Sequence, residues 1–152
     1  MMDVTPDSKW FTFAAKSELY DAFLLRAGFR GAGLVRIDRR DGKASMETLA
    51  EAVKTMPARR SVVLFPEGTR TGEASLGPFK AGAVLAARMT GRRILPIVIH
   101  RSDRLMPRRA HFPKSGVIRL EVLSAFECDL AASADEDVTR LRDQMMAAFD
   151  RG

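Results

Sequence analysis

The order in which apolar runs and amphipathic segments alternate is what most constrains this chain. Apolar runs of strand length occur at residues 10–15 (WFTFAA), 33–38 (GLVRID), 61–65 (SVVLF), 94–99 (ILPIVI) and 117–123 (VIRLEVL). Between and after them, residues 17–28, 43–56, 77–91 and 135–150 read as helices. Leu19, Tyr20, Phe23 and Leu24 share a helical face in the first of these, as do Met46, Leu49, Ala50, Val53 and Met56 in the second. Val138, Leu141, Met145 and Phe149 do so in the last. Gly91 closes the third helix and Pro78 stands near its first turn. Strands alternating with helices imply parallel pairing, so the expected class is α/β, a mostly parallel sheet flanked by helices. A chain of 152 residues is the size of one ordinary domain, so residues 1–152 are expected to form a single one.

Composition narrows the class further. Hydrophobic residues at 46% and charged residues at 29% are a globular balance. No apolar run approaches the ~20 residues needed to span a bilayer. The first ten residues lack the basic and apolar regions of a secretory signal. Cys128 stands alone, which excludes an internal disulfide and fits a reducing compartment. The formal net charge of +6 favours an anionic partner.

In open α/β sheets, ligands bind outside the carboxyl ends of the strands. Lys16 follows the first predicted strand, Arg39 the second, and Glu67 and Arg70 the third, which Pro66 terminates because it has no N–H for the ladder. Guanidinium groups and an ammonium suit a phosphate, and a carboxylate beside them can accept a hydrogen bond from a hydroxyl. Gly68 allows a positive φ or a close approach to a ligand. The constellation fits a phosphorylated, hydroxyl-bearing small molecule. The plainer alternative is a Glu67–Arg70 pair across a tight turn, with Lys16 and Arg39 as solvated strand ends.

At these residues the sequence resembles the lysophospholipid and glycerol-phosphate acyltransferase family, which includes bacterial 1-acylglycerol-3-phosphate acyltransferases. FPEGTR (residues 65–70) matches that family's third motif, and GLVRIDR (33–39) resembles its second, with Arg36 in place of an aromatic or apolar residue. AAKSEL and PFKAG, carrying Lys16 and Lys80, are similar to flanking segments, and LPIVIH to the fourth motif, with Ile99 where a second proline would stand. The resemblance covers residues 10–127, with a C-terminal helix at 135–150. It implies an acyltransferase of phospholipid biosynthesis that moves a fatty acyl group from acyl-CoA or acyl carrier protein to a glycerol-phosphate or lysophosphatidic acid acceptor. It implies that Arg39, Glu67, Gly68 and Arg70 form the acceptor site with Lys16 as a phosphate contact, and that no cofactor beyond the acyl thioester co-substrate is required. The expected location is the cytoplasm, peripheral at the inner face of the membrane.

The family's catalytic base is a His in an HxxxxD motif upstream of the others. That motif is absent: the fifth residue after His100 is Leu105, and after His111 it is Gly116. The resemblance thus implies an N-terminally truncated chain without its catalytic His, or alternatively a non-catalytic remnant that binds glycerophosphate or anionic lipid. His100 follows the fourth predicted strand and is the candidate substitute base, although no carboxylate is obviously placed to orient it. Two His and one remote Cys do not supply metal-ligand spacing, so no metal is expected.

A basic segment follows the fourth strand. Arg104, Arg108 and Arg109, with Arg101, Lys114 and interspersed Leu105, Met106 and Phe112, could dock the acyl donor or an anionic membrane surface. Nucleic acid is not the expected partner, because Tyr20 and Trp10 are single residues of their kinds and build no stacking platform. Were the family's first elements missing, an apolar face would be left uncovered.

Overall fold

The computed structural model describes residues 10–16, 35–37, 42–69, 75–105, 107, 112 and 114–151. They fall in two compact units, Met1–Leu64 and Phe65–Gly152.

The first unit holds a parallel sheet of β1 (Trp10–Lys16), β2 (Val35–Ile37) and β3 (Arg60–Val63), with β1 in the centre. The register pairs Lys16 with Ile37 and Phe13 with Val63, so β1 and β2 end side by side at the carboxyl edge. Helix α1 (Gly42–Thr55) packs on β2 through the apolar face expected of it, with Leu49 and Ala50 buried. The predicted helix at 17–28 lies outside the described residues.

Along β1, Thr12 is buried while Phe11 and Phe13 are 61% and 47% exposed. Alternation along the strand sends the two phenylalanines to the opposite face from Thr12, and that face is open. On β3, Val62 and Val63 are only half-buried, and the strand ends two residues earlier than its apolar run.

The second unit is built on the antiparallel pair β4 (Ile97–His100) and β5 (Arg119–Val122). This pair is the antiparallel part of a fold expected to be mostly parallel: among the described residues only the short helix α3 (Ser102–Leu105) lies between the two strands, and no crossover helix. Pro96 divides the run at 94–99. Ile94 exchanges hydrogen bonds with Phe126 as an isolated bridge, and the ladder resumes at Ile97.

Helices α2 (Gly82–Thr90) and α4 (Ala134–Phe149) complete the unit. Val84, Val98, Phe126, Leu141, Met145 and Ala148 form its buried core. Burying an aliphatic side chain of this size stabilises by about 1.5–3 kcal/mol, and Val84 and Val98 are each only 1% exposed. The opposite ribbon face, carrying the cross-strand pairs Ile97 with Val122 and Ile99 with Leu120, is exposed.

α4 starts at a capping box in which the Glu136 N–H donates to Ser133 Oγ and the Ser133 N–H donates to Glu136 Oε2. α2 ends at Gly91, which takes φ 66° as a left-handed cap. Its start lies at Gly82, later than the periodicity at 77–91 predicts. The cause is that the Lys80 N–H donates to Pro66 O and the Gly77 N–H to Glu67, so these residues are bound to the turn after β3.

Candidate active site

FPEG forms a turn closed by the Gly68 N–H donating to Phe65 O at 3.0 Å, with Gly68 at φ 71°. A side chain there would be strained by the dihedral and crowded, since a Cβ would stand 3.0 Å from Lys80 Cε and 3.3 Å from Lys80 Nζ. The lysine stem thus crosses the bare face of the glycine.

Glu67 is half-buried, and its Oε2 accepts a 2.9 Å hydrogen bond from the Gly77 N–H. The segment that provides this donor is itself held from α4. Arg142 Nε donates to Gly77 O at 3.2 Å and Nη2 to Leu76 O at 3.1 Å. A guanidinium on the last helix therefore positions the backbone amide that positions the carboxylate, and among the described residues no hydrogen bond reaches Oε1.

Of the other residues expected at the acceptor site, Lys16 is the last residue of β1, in register with Ile37, two residues before Arg39 in the chain. The structure thus brings the ends of the strands before Lys16 and Arg39 together, while Arg39 and Arg70 lie outside the described residues. Of the basic segment, Arg104 is exposed on α3, and Arg108 and Arg109 lie outside the described residues.

His100, the candidate substitute base, is 3% exposed. A carboxylate does orient it, contrary to the sequence reading: Nε2–H donates to Glu121 Oε2 at 3.0 Å. The ring also stacks on Phe149, with centroids 6.1 Å apart. Glu121 Oε1 accepts from Arg151 at 3.2 Å. The hydrogen bonds from His100 and Arg151 hold the Glu121 carboxyl below its ordinary range. The geometry is that of a paired interior histidine pinning the ribbon to the end of α4.

Cys128 is half-buried, and burial, with Asp137 nearby, pushes its thiol up, away from nucleophilic thiolate character. Among the described residues no cluster of His, Cys, Asp and Glu could hold a metal ion, and no helix is long and apolar enough to cross a membrane. An open depression at the start of α4, lined by Asp129, Asp135, Glu136 and Arg140 among others, is largely acidic and ill suited to a phosphate.

Sequence reasoning did not assign Gly77, Lys80, Glu121 or Arg142 to any of these arrangements. Lys80 had a signal, since it lies in the PFKAG segment. Arg142 had none, being 65 residues from its partner Gly77.

The parallel sheet with its flanking helix, and the helices of the second unit packed on a strand pair, make the protein α/β in class. Residues 2–100 match the Acyltransferase family model, and the chain belongs to that family. A chloroplastic 1-acyl-sn-glycerol-3-phosphate acyltransferase of Arabidopsis thaliana is 30% identical over 99 residues, which is 65% of this chain and 28% of that protein. The 1-acyl-sn-glycerol-3-phosphate acyltransferase of Escherichia coli is 37% identical over 93 residues, 60% of this chain and 37% of that protein. The chain thus spans roughly a third or less of these relatives. The crystal structure of the 1-acyl-sn-glycerophosphate acyltransferase of Thermotoga maritima shares the fold, with a TM-score of 0.75 at 18% identity over 97% of this chain and 67% of that one.

Proposed function

We propose that this chain carries the acceptor-holding part of an acyltransferase of phospholipid synthesis. In the reaction, an acceptor hydroxyl attacks the carbonyl carbon of a fatty acyl thioester. A C–O bond forms, the C–S bond breaks, and the thiol of coenzyme A or acyl carrier protein leaves with a proton. The acceptor is a glycerol-phosphate or lysophosphatidic acid type of molecule. Glu67 Oε1 accepts a hydrogen bond from an acceptor hydroxyl while Oε2 stays fixed by Gly77, and Lys16, Arg39 and Arg70 supply cations for the phosphate. The observation that carries this reading is the Glu67–Gly77 hydrogen bond beside the positive-φ glycine, inside the family-matched segment and at its most specific motif.

A second reading rests on the net charge of +6 and the basic residues expected at this site. In it, the same site binds glycerophosphate or an anionic lipid without catalysis, at a membrane face to which Arg104, Arg108 and Arg109 are drawn.

The test combines acyl transfer from a long-chain acyl thioester to lysophosphatidic acid with calorimetric binding of sn-glycerol 3-phosphate, on this chain and on Glu67→Ala. Turnover that Glu67→Ala removes supports the enzyme. Saturable binding without turnover, lost in Glu67→Ala, supports the binding module. Neither turnover nor binding overturns both.

A further inference from the structure

We propose that Lys80 is a further phosphate-contacting residue of this site, acting from outside the FPEGTR motif; the inference rests on the acceptor-site reading above. Three features of the structure lead to it.

The first is the backbone. The Lys80 N–H donates to Pro66 O at 2.8 Å, which ties Lys80 to the residue immediately before Glu67. The second is the side chain, whose Cδ, Cε and Nζ all lie within 3.3 Å of the point where a Gly68 Cβ would stand. A long cationic side chain is costly to order, with up to about 2 kcal/mol of rotamer freedom at stake, and here a missing Cβ gives its stem a track to lie along. The third is the ammonium itself. Lys80 is exposed, and among the described residues no carboxylate pairs with it.

An accessible ammonium that no described carboxylate pairs stands against the turn whose carboxylate takes a hydroxyl. A molecule with a hydroxyl and a phosphate monoester meets both groups, the hydroxyl at Glu67 and the phosphate oxygens at Lys80. Gly68 is accordingly required twice, for its dihedral and for the space the lysine occupies.

The phosphate can belong to the acceptor or to coenzyme A, and separate titrations distinguish these sources. Binding of sn-glycerol 3-phosphate and of coenzyme A is measured by calorimetry on the whole chain and on Lys80→Met, Lys80→Arg and Glu67→Ala. Lys80→Met keeps an apolar stem over Gly68 and removes only the charge. Its affinity is expected to fall about tenfold for the phosphate source in question, while Lys80→Arg stays within about threefold of the parent, as the loss or retention of one charge-assisted hydrogen bond requires. A loss confined to glycerol 3-phosphate assigns Lys80 to the acceptor, and a loss confined to coenzyme A assigns it to the donor.

Unchanged binding of both ligands by Lys80→Met, with Glu67→Ala impaired, overturns the role of Lys80 and leaves the acceptor-site reading standing. Equal losses in Lys80→Met and Lys80→Arg also overturn it, because they point to packing and not charge. A parent chain that binds neither ligand overturns the acceptor-site reading and this inference together. Gly68→Ala is the second variant: displacing the lysine stem, it is expected to reproduce the Lys80→Met loss.

Discussion

Replacing Asp137 by alanine tests the electrostatic joint between α2 and α4. The carboxylate is 0% exposed. Its Oδ1 accepts from Arg140 and from the Asp129 N–H at 3.1 Å, and its Oδ2 accepts from Arg88. Burial by itself would push this carboxyl up, but Arg140, the Asp129 amide and Arg88 outweigh it and lower it from 3.8 to about 2. Removing one partner of a buried ion pair costs about 3–5 kcal/mol, largely through the charge left behind. The lower end applies here. Arg88 keeps the carbonyls of Asp129 and Ala132, both at 2.9 Å, and Arg140 is half-exposed and can turn to water. A loss of about 3 kcal/mol lowers Tm by about 6–12 °C in a chain of this size. Urea titrations followed by circular dichroism measure it. The pH arm has a fixed sign. The folded carboxyl lies below its unfolded value, so its stabilisation is full above about pH 3.8 and lost as pH falls toward 2. Asp137→Ala lacks this acid-side loss. A cost under about 1 kcal/mol, with acid unfolding unchanged, would refute the joint.

Two further substitutions separate positioning from chemistry. Arg142→Leu removes the two hydrogen bonds that hold Leu76 O and Gly77 O, costing about 2 kcal/mol, and should weaken glycerol 3-phosphate binding without touching the ligand; unchanged hydrogen-exchange protection of the Gly77 amide would contradict it. His100→Ala should cost about 2 kcal/mol through lost packing on Phe149 and the lost hydrogen bond to Glu121, which keeps Arg151; turnover that vanishes while thermal stability is unchanged would instead make His100 a base.

The elements with strong periodicity were legible in the sequence. α4 is built on Leu141 and Met145 as its spacing predicts, and α1 on Leu49 and Ala50. Local chemistry also marked the turn, because Pro66 and Gly68 forbid continuation of a strand and permit a reversal. What the sequence hid was tertiary preference. Residues 77–81 have helical pattern, yet their polar groups are taken by Pro66 O, Glu67 and Arg142, partners distant in sequence that periodicity cannot weigh. Glu121 was hidden for a similar reason: its place beside His100 follows from the β4–β5 register, which pairs His100 with Arg119 and Val98 with Glu121.

The Arg142 tether also sets an order in time. Gly77 is synthesised 65 residues before the guanidinium that fixes its carbonyl. At translation rates of about 5–20 residues per second, the Gly77 segment leaves the ribosome about 3–13 s before α4 can brace it. The amide that fixes Glu67 is thus made before the guanidinium that holds its own segment in place.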